Sequence, residues 1–412
     1  MQLRERYGKD LIRIAPDSLL TDDPDVLRRI NGAHNGYTKG DWYAVMRLDL
    51  YHHTIVSSRD NAFHDDIKAR TAAGYSGRDV PTMESDIDEQ IAELKTLITR
   101  EYVSTDKVYK PMDWGVVAEH FTLDSLMKVA FGEPLGDLAT NSDVHDYIKM
   151  IEAMGMFFAL CGDVPWLGRV LFSDFMMRLV GPKVGDKKGL GAIMGVAKKM
   201  VDARFEGDGS NQQDMMGSFI HHGIPRRQCQ AELLALFVAG SDATANLLRV
   251  GLFLIITTPG VYQRLQAEID DAIASGRISS PVTAAQGKTL PYLQAFLLEC
   301  LRFSPPASLP LPKVVPPQGD TLNGTFVPGG TKIAIDIWSL GRRVDVFGQD
   351  AAVFRPERFL EATSGKRAHM EQVTDLIFGY GRYMCPGKTM AWLEMNKTFV
   401  EVNLASWLAN GC

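Results

Sequence analysis

The sequence has few of the features that mark disulfide-rich, zinc-binding or nucleic-acid-binding proteins. Its 5 cysteines are an odd number without a Cys-x-x-Cys pair, which argues against a disulfide framework or a zinc ribbon and favours a reducing compartment. Lys and Arg number 44 against 50 for Asp and Glu, and no basic block occurs, so nucleic acid is a poor partner. With 45% hydrophobic and 23% charged residues, the 412-residue chain has the composition of a folded globular protein.

Long apolar runs and targeting signals are also missing. No stretch reaches the roughly 18 consecutive apolar residues that a membrane span needs. The nearest candidate, residues 233–256, is interrupted by Ser241, Asp242 and Arg249. The first residues have neither the apolar core of a signal peptide nor the composition of a transit peptide. The sequence as it stands therefore predicts a chain that does not span a membrane.

The distribution of apolar residues predicts a large helical body with a small sheet late in the chain. Helical spacing dominates, and one long helix is predicted over residues 228–257. After a helix at 290–303, short strands follow, with Asn323-Gly324 as a two-residue hairpin turn. A last helix is predicted from Lys388 to about residue 408. The predicted fold is mainly α with a small β-sheet, in a single domain over residues 1–412.

The segment 378–387 is the most informative part of the sequence because it sets a cysteine between a glycine-rich loop and a helix. Backbone N–H groups at a helix start stabilise a thiolate, here that of Cys385. Gly381 and Gly387 let the backbone approach a flat, bulky group, and Phe378 covers the far side of the sulfur. The residues alone are also compatible with a buried free cysteine beside an ordinary turn.

This loop resembles that of the cytochromes P450, haem-thiolate monooxygenases whose loop reads Phe-x-x-Gly-x-Arg/His-x-Cys-x-Gly. The four fixed positions match at Phe378, Gly381, Cys385 and Gly387. The resemblance implies haem b (iron protoporphyrin IX) as cofactor and Cys385 as the axial ligand of its iron. The usual cation two residues before the cysteine is Tyr383 here, with Arg382 one step earlier, so one contact to a haem propionate lacks its usual residue.

A Glu-x-x-Arg pair, Glu299 and Arg302, lies on the helix at 290–303. Such a pair is common on any solvated helix face. With the Arg358 of a following Phe-Arg-Pro-Glu-Arg-Phe segment, however, it resembles the Glu-Arg-Arg triad that braces the core of the family. Planar guanidinium groups suit a buried bidentate lock of this kind.

The middle of the long helix reads Ala-Gly-Ser-Asp-Ala-Thr and resembles the oxygen-activation groove of the family. Gly240 would let the helix pass close over a haem face, and Asp242 and Thr244 would handle protons. The hydroxyl residue that normally follows the acid is Ala243, and Thr244 is no simple substitute, because one helix position is a rotation of about 100°. Alternatively, Asp242 and Thr244 only solvate a helix bend.

His64 and Lys68 lie four residues apart, on one face of a predicted helix. The family places an aromatic residue or histidine and an arginine at this spacing, both directed at haem propionates. A solvated basic face is the alternative interpretation, because lysine is a looser anchor than arginine.

The resemblance implies a monooxygenase that oxidises a hydrophobic small molecule, and is nearest to the fungal microsomal branch that includes pisatin demethylase. Its implied partners are O2 and NADPH–cytochrome P450 reductase, since the chain has no flavin or nicotinamide site of its own. The implied location is the cytosolic face of the endoplasmic reticulum membrane, or the cytoplasm if the chain has no anchor. A tailoring step in secondary-metabolite biosynthesis is the expected role.

Two other functions stay open on the sequence. Without a hydroxyl at position 243, the protein could be a haem-thiolate isomerase, dehydratase or peroxide-using enzyme. The chain also looks short at both ends against the family pattern, lacking an N-terminal anchor and a C-terminal hairpin. The third interpretation is therefore a truncated, non-catalytic haem-binding fragment.

Overall fold

The computed structural model describes residues 6–8, 10–49, 52–207 and 212–402, and most of these residues are helical. The helices are α1 (Pro24–Asn31), α2 (Asn61–Tyr75), α3 (Met83–Leu97), α4 (Trp114–Phe131), α5 (Asp137–Thr140), α6 (Tyr147–Asp163), α7 (Pro165–Leu171), α8 (Asp174–Val180), α9 (Gly189–Glu206), α10 (Met215–His221), α11 (Arg226–Gly240), α12 (Asp242–Thr257), α13 (Val261–Ala274), α14 (Ala284–Gly287), α15 (Pro291–Phe303), α16 (Ile337–Leu340), α17 (Val344–Phe347), α18 (Glu357–Glu361), α19 (Ser364–Asp375) and α20 (Lys388–Glu401). The strands are β1 (Ile12–Ala15), β2 (Ser18–Thr21), β3 (Thr38–Lys39), β4 (Lys313–Val314), β5 (Asp320–Leu322), β6 (Thr325–Val327) and β7 (Lys332–Ile335). The predicted class, mainly α with a small β component, is confirmed.

The five-stranded sheet joins the start of the chain to a segment far along it. Its strand order is β1-β2-β7-β4-β3, with β2 parallel to β7 and the other neighbours antiparallel. In the β3–β4 pair, Lys39 lies directly opposite Lys313. This register brings two lysines from distant parts of the sequence to one place.

The separate β5–β6 hairpin confirms the turn predicted from the sequence. Asn323 and Gly324 both have positive φ, at 48° and 74°. A two-residue turn of this kind matches the right-handed twist of the two strands, and asparagine and glycine tolerate it best.

Buried side chains form a large helical core and a smaller core beside the sheet. Helix α15 contacts both, because Ala295 belongs to the smaller cluster whereas Phe296 and Leu297 belong to the larger one. Neighbouring residues on a helix point about 100° apart, so one buried helix can face two layers. The two cores therefore belong to one folded body, as predicted.

The long helical stretch predicted over 228–257 is present over Arg226–Thr257, with an interruption at Ser241 that the sequence did not predict. The Phe237 carbonyl oxygen accepts hydrogen bonds from the Ser241 Oγ–H at 2.8 Å and from the Tyr147 Oη–H at 2.6 Å. Hydroxyl groups that bind a helix carbonyl compete with the backbone N–H and bend or interrupt the helix. The chain thus divides into α11 and α12 at the motif that the sequence analysis singled out.

Among the described residues, the stretch Arg226–Thr257 contains an 18-residue window that is apolar enough by composition to cross a membrane, with a mean hydropathy of 1.3. The sequence prediction concerns an uninterrupted run of about 18 apolar residues, and Ser241, Asp242 and Arg249 do interrupt this stretch. More than half of that window is buried inside the protein, and a helix of a protein core has the same profile. The predicted end of the last helix, near residue 408, lies outside the described residues.

Candidate active site

The loop before α20 has a backbone that only glycine accommodates at two positions. Gly379 and Gly381 have φ values of 79° and 55°. A Cβ atom at Gly379 would lie 2.6 Å from the Tyr383 carbonyl oxygen, and one at Gly381 would lie 2.7 Å from the Asn31 carbonyl oxygen. The Cys385 N–H donates to the Phe378 carbonyl oxygen at 2.6 Å and closes the loop. Sterics therefore fix the position of the cysteine.

The Cys385 side chain is exposed although protein atoms surround much of it. The residue is exposed, whereas Cys161, Cys229 and Cys300 are buried. Surrounding protein atoms nevertheless raise the pKa of the Cys385 thiol by desolvation, opposed by the backbone N–H groups of Gly387 and Lys388 and by nearby ammonium groups. The sulfur is therefore accessible and at the same time partly desolvated.

A single cysteine sulfur is a suitable ligand for a metal ion that a macrocycle already holds. Within the part of the chain that the structure describes, no group of three or more His, Cys, Asp or Glu residues could hold a metal ion. A metal bound by protein side chains alone needs three or four of them, whereas haem iron needs one axial ligand. The half-buried Phe378 ring packs 6.4 Å from the Trp392 ring and lies at the foot of the same loop.

Two of the predicted cofactor-binding cations, Lys68 and Arg382, already have protein partners. The Lys68 Nζ donates to the carbonyl oxygens of Gly381, Arg382 and Met384 at 3.1, 2.6 and 3.4 Å. The Arg382 Nε lies 3.0 Å from the Asp65 carboxylate. Helix α2 therefore clamps the cysteine loop through both cations.

His64, the third predicted anchor on this side, is buried against Tyr383, with the ring centroids 5.2 Å apart. Its Nδ1 lies 3.3 Å from an Asp65 carboxylate oxygen. Burial lowers the pKa of His64 to about 4, helped by the repulsion of Lys39, so the imidazole is neutral at pH 7. It therefore acts here through packing and hydrogen bonding and not as a charge.

Sequence reasoning missed two lysines, Lys39 and Lys313, which are only 4% and 2% exposed. The Lys39 Nζ donates to the carbonyl oxygens of Ile55 and Val56 at 2.6 and 2.8 Å. The Lys313 Nζ donates to the Tyr43 hydroxyl oxygen at 2.8 Å. The available signal was lysine in a short apolar strand, but β3 was not predicted, so nothing in the sequence brought the two together.

Gly240 and Thr244, on either side of the helix break, face protein and not open space. A Cβ atom at Gly240 would lie 2.9 Å from a Leu126 methyl carbon, so glycine allows α11 to pack closely on α4. Thr244 is buried, and its side chain lies near the Glu394 carboxyl group of α20, whose pKa it lowers. Asp242 is exposed, because it lies two positions away on the helix and faces the other side. Asp242 and Thr244 therefore do not form one pair.

Glu394 is a second residue that the sequence analysis missed. It is 1% exposed, and its Oε1 has no hydrogen-bond partner among the described residues. Burial raises the pKa of its carboxyl group to about 8, and the Thr244 side chain opposes that shift. The signal was a single acid in the apolar run after the cysteine, at Leu393-Glu394-Met395.

Glu299, Arg302 and Arg358 lie together in the core. Arg302 binds Glu299 in a bidentate manner, with Nη2 and Nε at 2.6 and 2.7 Å from the two carboxylate oxygens. The Arg358 Nε lies 3.0 Å from the same carboxylate, and its Nη1 lies 2.9 Å from Asp350. Further guanidinium N–H groups donate to backbone carbonyls, for example that of Gly341 at 2.6 Å. The cluster joins α15 to the segment around α18.

Comparison with known proteins agrees with this geometry. Residues 23–402 match the family model of cytochrome P450. The chain is 40% identical over 402 residues to cytochrome P450 monooxygenase aba1 of Botryotinia fuckeliana, covering 97% of this chain and 79% of that protein. It is 40% identical over 395 residues to cytochrome P450 monooxygenase ABA1 of Pyricularia oryzae, covering 95% and 77%.

A third relative, cytochrome P450 monooxygenase abl1 of Leptosphaeria maculans, is 37% identical over 401 residues, covering 97% of this chain and 70% of that protein. Proteins of this family bind haem b through a cysteine thiolate. The family match across most of the chain and the three relatives show that this protein belongs to the cytochrome P450 family and is a monooxygenase.

Proposed function

We propose that the Cys385 sulfur is the axial ligand of haem b, and that the chain inserts one oxygen atom of O2 into a hydrophobic small molecule in a tailoring step of secondary metabolism. One observation carries the assignment: of the cysteines in the described ranges, Cys385 alone is exposed, at the start of a helix and on a loop fixed by glycines. The fungal relatives that bear the name cytochrome P450 monooxygenase support the role.

The residues around Cys385 would hold the haem and shape its ligand. The N–H groups of Gly387 and Lys388 point at the sulfur and stabilise its thiolate form. Lys68 keeps the loop in place through three carbonyl oxygens, and the Phe378 ring limits access of water. When bound, the haem supplies the activation of O2, for which thiolate ligation favours cleavage of the O–O bond.

Proton handling is assigned to two separate sides of α12. The Glu394 carboxyl group, kept protonated by burial, holds a proton next to the Thr244 Oγ1. Asp242 is exposed at the helix start and takes up protons from outside. Ala243 lies between them without a hydroxyl group, so the hydroxyl available to the buried carboxyl group is that of Thr244.

Proteins of the family generally take electrons from a redox partner and use O2 on a hydrophobic substrate. For this chain we propose NADPH–cytochrome P450 reductase as that partner. The family is typically membrane-associated, and we propose the cytosolic face of the endoplasmic reticulum as the location.

The first test is the reduced carbon-monoxide difference spectrum of the purified chain and of Cys385→Ala. The wild type is expected to give the Soret band of a thiolate-ligated ferrous complex, and Cys385→Ala is expected to lose it while keeping its helix content. Cys300→Ala, at a buried cysteine, is the matched control and should keep the band. A thiolate-type spectrum in Cys385→Ala would contradict the assignment.

A second measurement separates oxygen insertion from the isomerase, dehydratase and peroxide-using alternatives. Turnover that requires NADPH, reductase and O2 together, with ¹⁸O from labelled O2 in the product, supports the proposal. Turnover without NADPH and O2 would favour an isomerase or dehydratase, and turnover with peroxide alone would favour a peroxide-using enzyme.

A further inference from the structure

The break between α11 and α12 depends on a hydroxyl group from a third helix, α6. The Phe237 carbonyl oxygen has two lone pairs, and the hydroxyl groups of Tyr147 and Ser241 occupy both. Tyr147 is 3% and Ser241 is 2% exposed, so bulk water does not compete for these bonds. The Tyr147 ring also packs against the Phe237 ring, with the centroids 5.7 Å apart. No lone pair is therefore left for the Ser241 N–H, which a continuous helix would bond to this oxygen.

Ser241 by itself would not open the helix. A serine hydroxyl group often bonds to the carbonyl oxygen four residues earlier, which bends the helix but leaves the second lone pair to the backbone N–H. The added bond from Tyr147 is what displaces that N–H. In agreement, α11 ends at Gly240, and within the part of the chain that the structure describes the Ser241 N–H has no backbone acceptor.

The open turn is also uncapped. Ser241 takes the N-cap position of α12, where a serine hydroxyl group normally accepts a hydrogen bond from the next turn, but its side chain makes no such bond and donates back to α11. The first backbone bond of α12 runs from the Ala245 N–H to the Ser241 carbonyl oxygen, at 3.1 Å. The N–H groups before it have no intrahelical acceptor, and backbone groups of this kind bind water. The turn therefore supplies polar groups between the exposed Asp242 and the buried Thr244.

The position of the Tyr147 hydroxyl group is set by the start of α6. The Asp143 carboxylate accepts hydrogen bonds from the N–H groups of Tyr147 and Lys149, at 2.7 and 3.1 Å. The loop before it is fastened by Asp137, whose Oδ1 accepts the Val144 N–H at 3.0 Å. Tyr147 is the first residue of the helix, so its backbone is held by the loop and its ring by α11. Both ends of this side chain are fixed, and the hydroxyl group stays at the break.

We propose that Tyr147 is a positioning residue for proton handling, because its hydroxyl group keeps the turn between α11 and α12 open beside Asp242 and Thr244. The inference rests on the proposed function, which assigns protons to these two sides of α12. Removal of either hydroxyl group from the Phe237 carbonyl oxygen frees one lone pair for the N–H of residue 241. The turn then closes into a continuous helix, and proton transfer across it slows.

The first test is the amide hydrogen exchange of residue 241 in the purified chain. Tyr147→Phe and Ser241→Ala are each expected to slow exchange, relative to the intrinsic rate, by about threefold to tenfold, the effect of one ordinary hydrogen bond. The double variant is expected to add little to either single variant, because one free lone pair is enough. Tyr292→Phe removes the hydrogen bond of a buried tyrosine to Glu357, at 3.0 Å, and is the matched control that should leave residue 241 unchanged.

The second test follows the reduction of O2 with NADPH and reductase in the absence of an organic substrate. One O2, one NADPH and one proton give H2O2 and NADP⁺, whereas one O2, two NADPH and two protons give two waters and two NADP⁺. Two waters take up twice as many hydrogens as one H2O2. The share of NADPH that ends in H2O2 is therefore expected to rise about twofold in Tyr147→Phe and in Ser241→Ala. Tyr292→Phe should keep the wild-type share.

Two results would overturn the inference. One is exchange at residue 241 that stays within about twofold of the wild type in both single variants. The other is an unchanged share of H2O2 although the exchange has slowed, since Tyr147 would then hold the turn without serving proton handling. A wild type without a thiolate-type band would overturn the proposed function, and the inference with it. The exchange experiment does not depend on that band, so the two failures can be told apart.

Discussion

Two buried charge clusters of this protein differ in whether the chain completes them. Around Glu299, each guanidinium group is met by a carboxylate or by backbone carbonyls, so the cluster is neutralised by protein alone. Around Lys39 and Lys313, the ammonium groups donate to neutral oxygens, and Glu232 attracts Lys39 without a direct ion pair. The first arrangement joins α15 to the segment around α18, whereas the second holds two ammonium groups of distant strands without a direct ion pair.

The largest effect is expected from opening the complete cluster. Glu299→Gln leaves Arg302 and Arg358 buried together without their common carboxylate, which should cost about 3–5 kcal/mol of unfolding free energy. Urea denaturation measures this cost. Glu361→Gln removes a partner of Arg355 at an exposed rim, and should change stability by less than about 0.5 kcal/mol. Equal effects of the two substitutions would contradict the comparison.

The Lys39–Lys313 pair should make the free energy of unfolding of the haem-free chain depend on pH. Burial lowers the pKa of Lys39 and of Lys313 to about 7. Glu232 opposes this shift for Lys39 and Lys68 adds to it, whereas Lys39 adds to the shift of Lys313. Both groups bind protons more weakly in the folded than in the unfolded state, whose pKa is 10.5. Stability should therefore rise between about pH 7 and pH 10.

The measurement is the melting temperature of the haem-free chain at several pH values, for the wild type and for the double variant Lys39→Met/Lys313→Met. The rise should be smaller in the double variant by the equivalent of about 1 kcal/mol or more. A slope that is the same in both proteins would show that the lysine pair is neutralised within the apoprotein.

Glu394 differs from both clusters, because its buried carboxyl group stays protonated and is therefore neutral. Its pKa is raised from 4.5 to about 8, so the folded state binds the proton more strongly than the unfolded state. The free energy of unfolding should fall as the pH rises from about 4.5 to 8. In Glu394→Gln this fall should be smaller by about 1 kcal/mol or more. An infrared band of a protonated carboxyl group at pH 7, absent in the variant, is the direct check. Its absence from the wild type would remove Glu394 from proton handling.

The smallest effect on stability is expected at the helix break. Ala243→Thr adds a hydroxyl group at a half-buried position and should change the unfolding free energy by less than about 1 kcal/mol. It should instead raise the fraction of consumed NADPH that yields oxidised product, because a hydroxyl group then lies between Asp242 and Thr244. Unchanged or lower coupling would show that Ala243 is an adaptation of this enzyme.

Turns and helices that depend on residues close together in the sequence could be predicted. The Asn323-Gly324 hairpin and the helix that starts at Lys388 follow from turn geometry and apolar spacing. The break at Ser241 was not predictable, because Tyr147 from another helix supplies one of the two hydroxyl groups on the Phe237 carbonyl oxygen. Thr244 likewise needed Glu394 of α20 before its direction could be known.

The sequence by itself determined the identity of the cysteine loop, because a glycine-rich turn before a helix is a local feature with strict steric demands. It also determined the residue types of the Glu299 cluster. Only the tertiary structure decided which cations are already engaged and which are not. Lys39 and Lys313 are far apart in the chain, and strand register alone sets them opposite each other. Pairing of charges depends on distance in space and on burial, and neither quantity is written in the order of the residues.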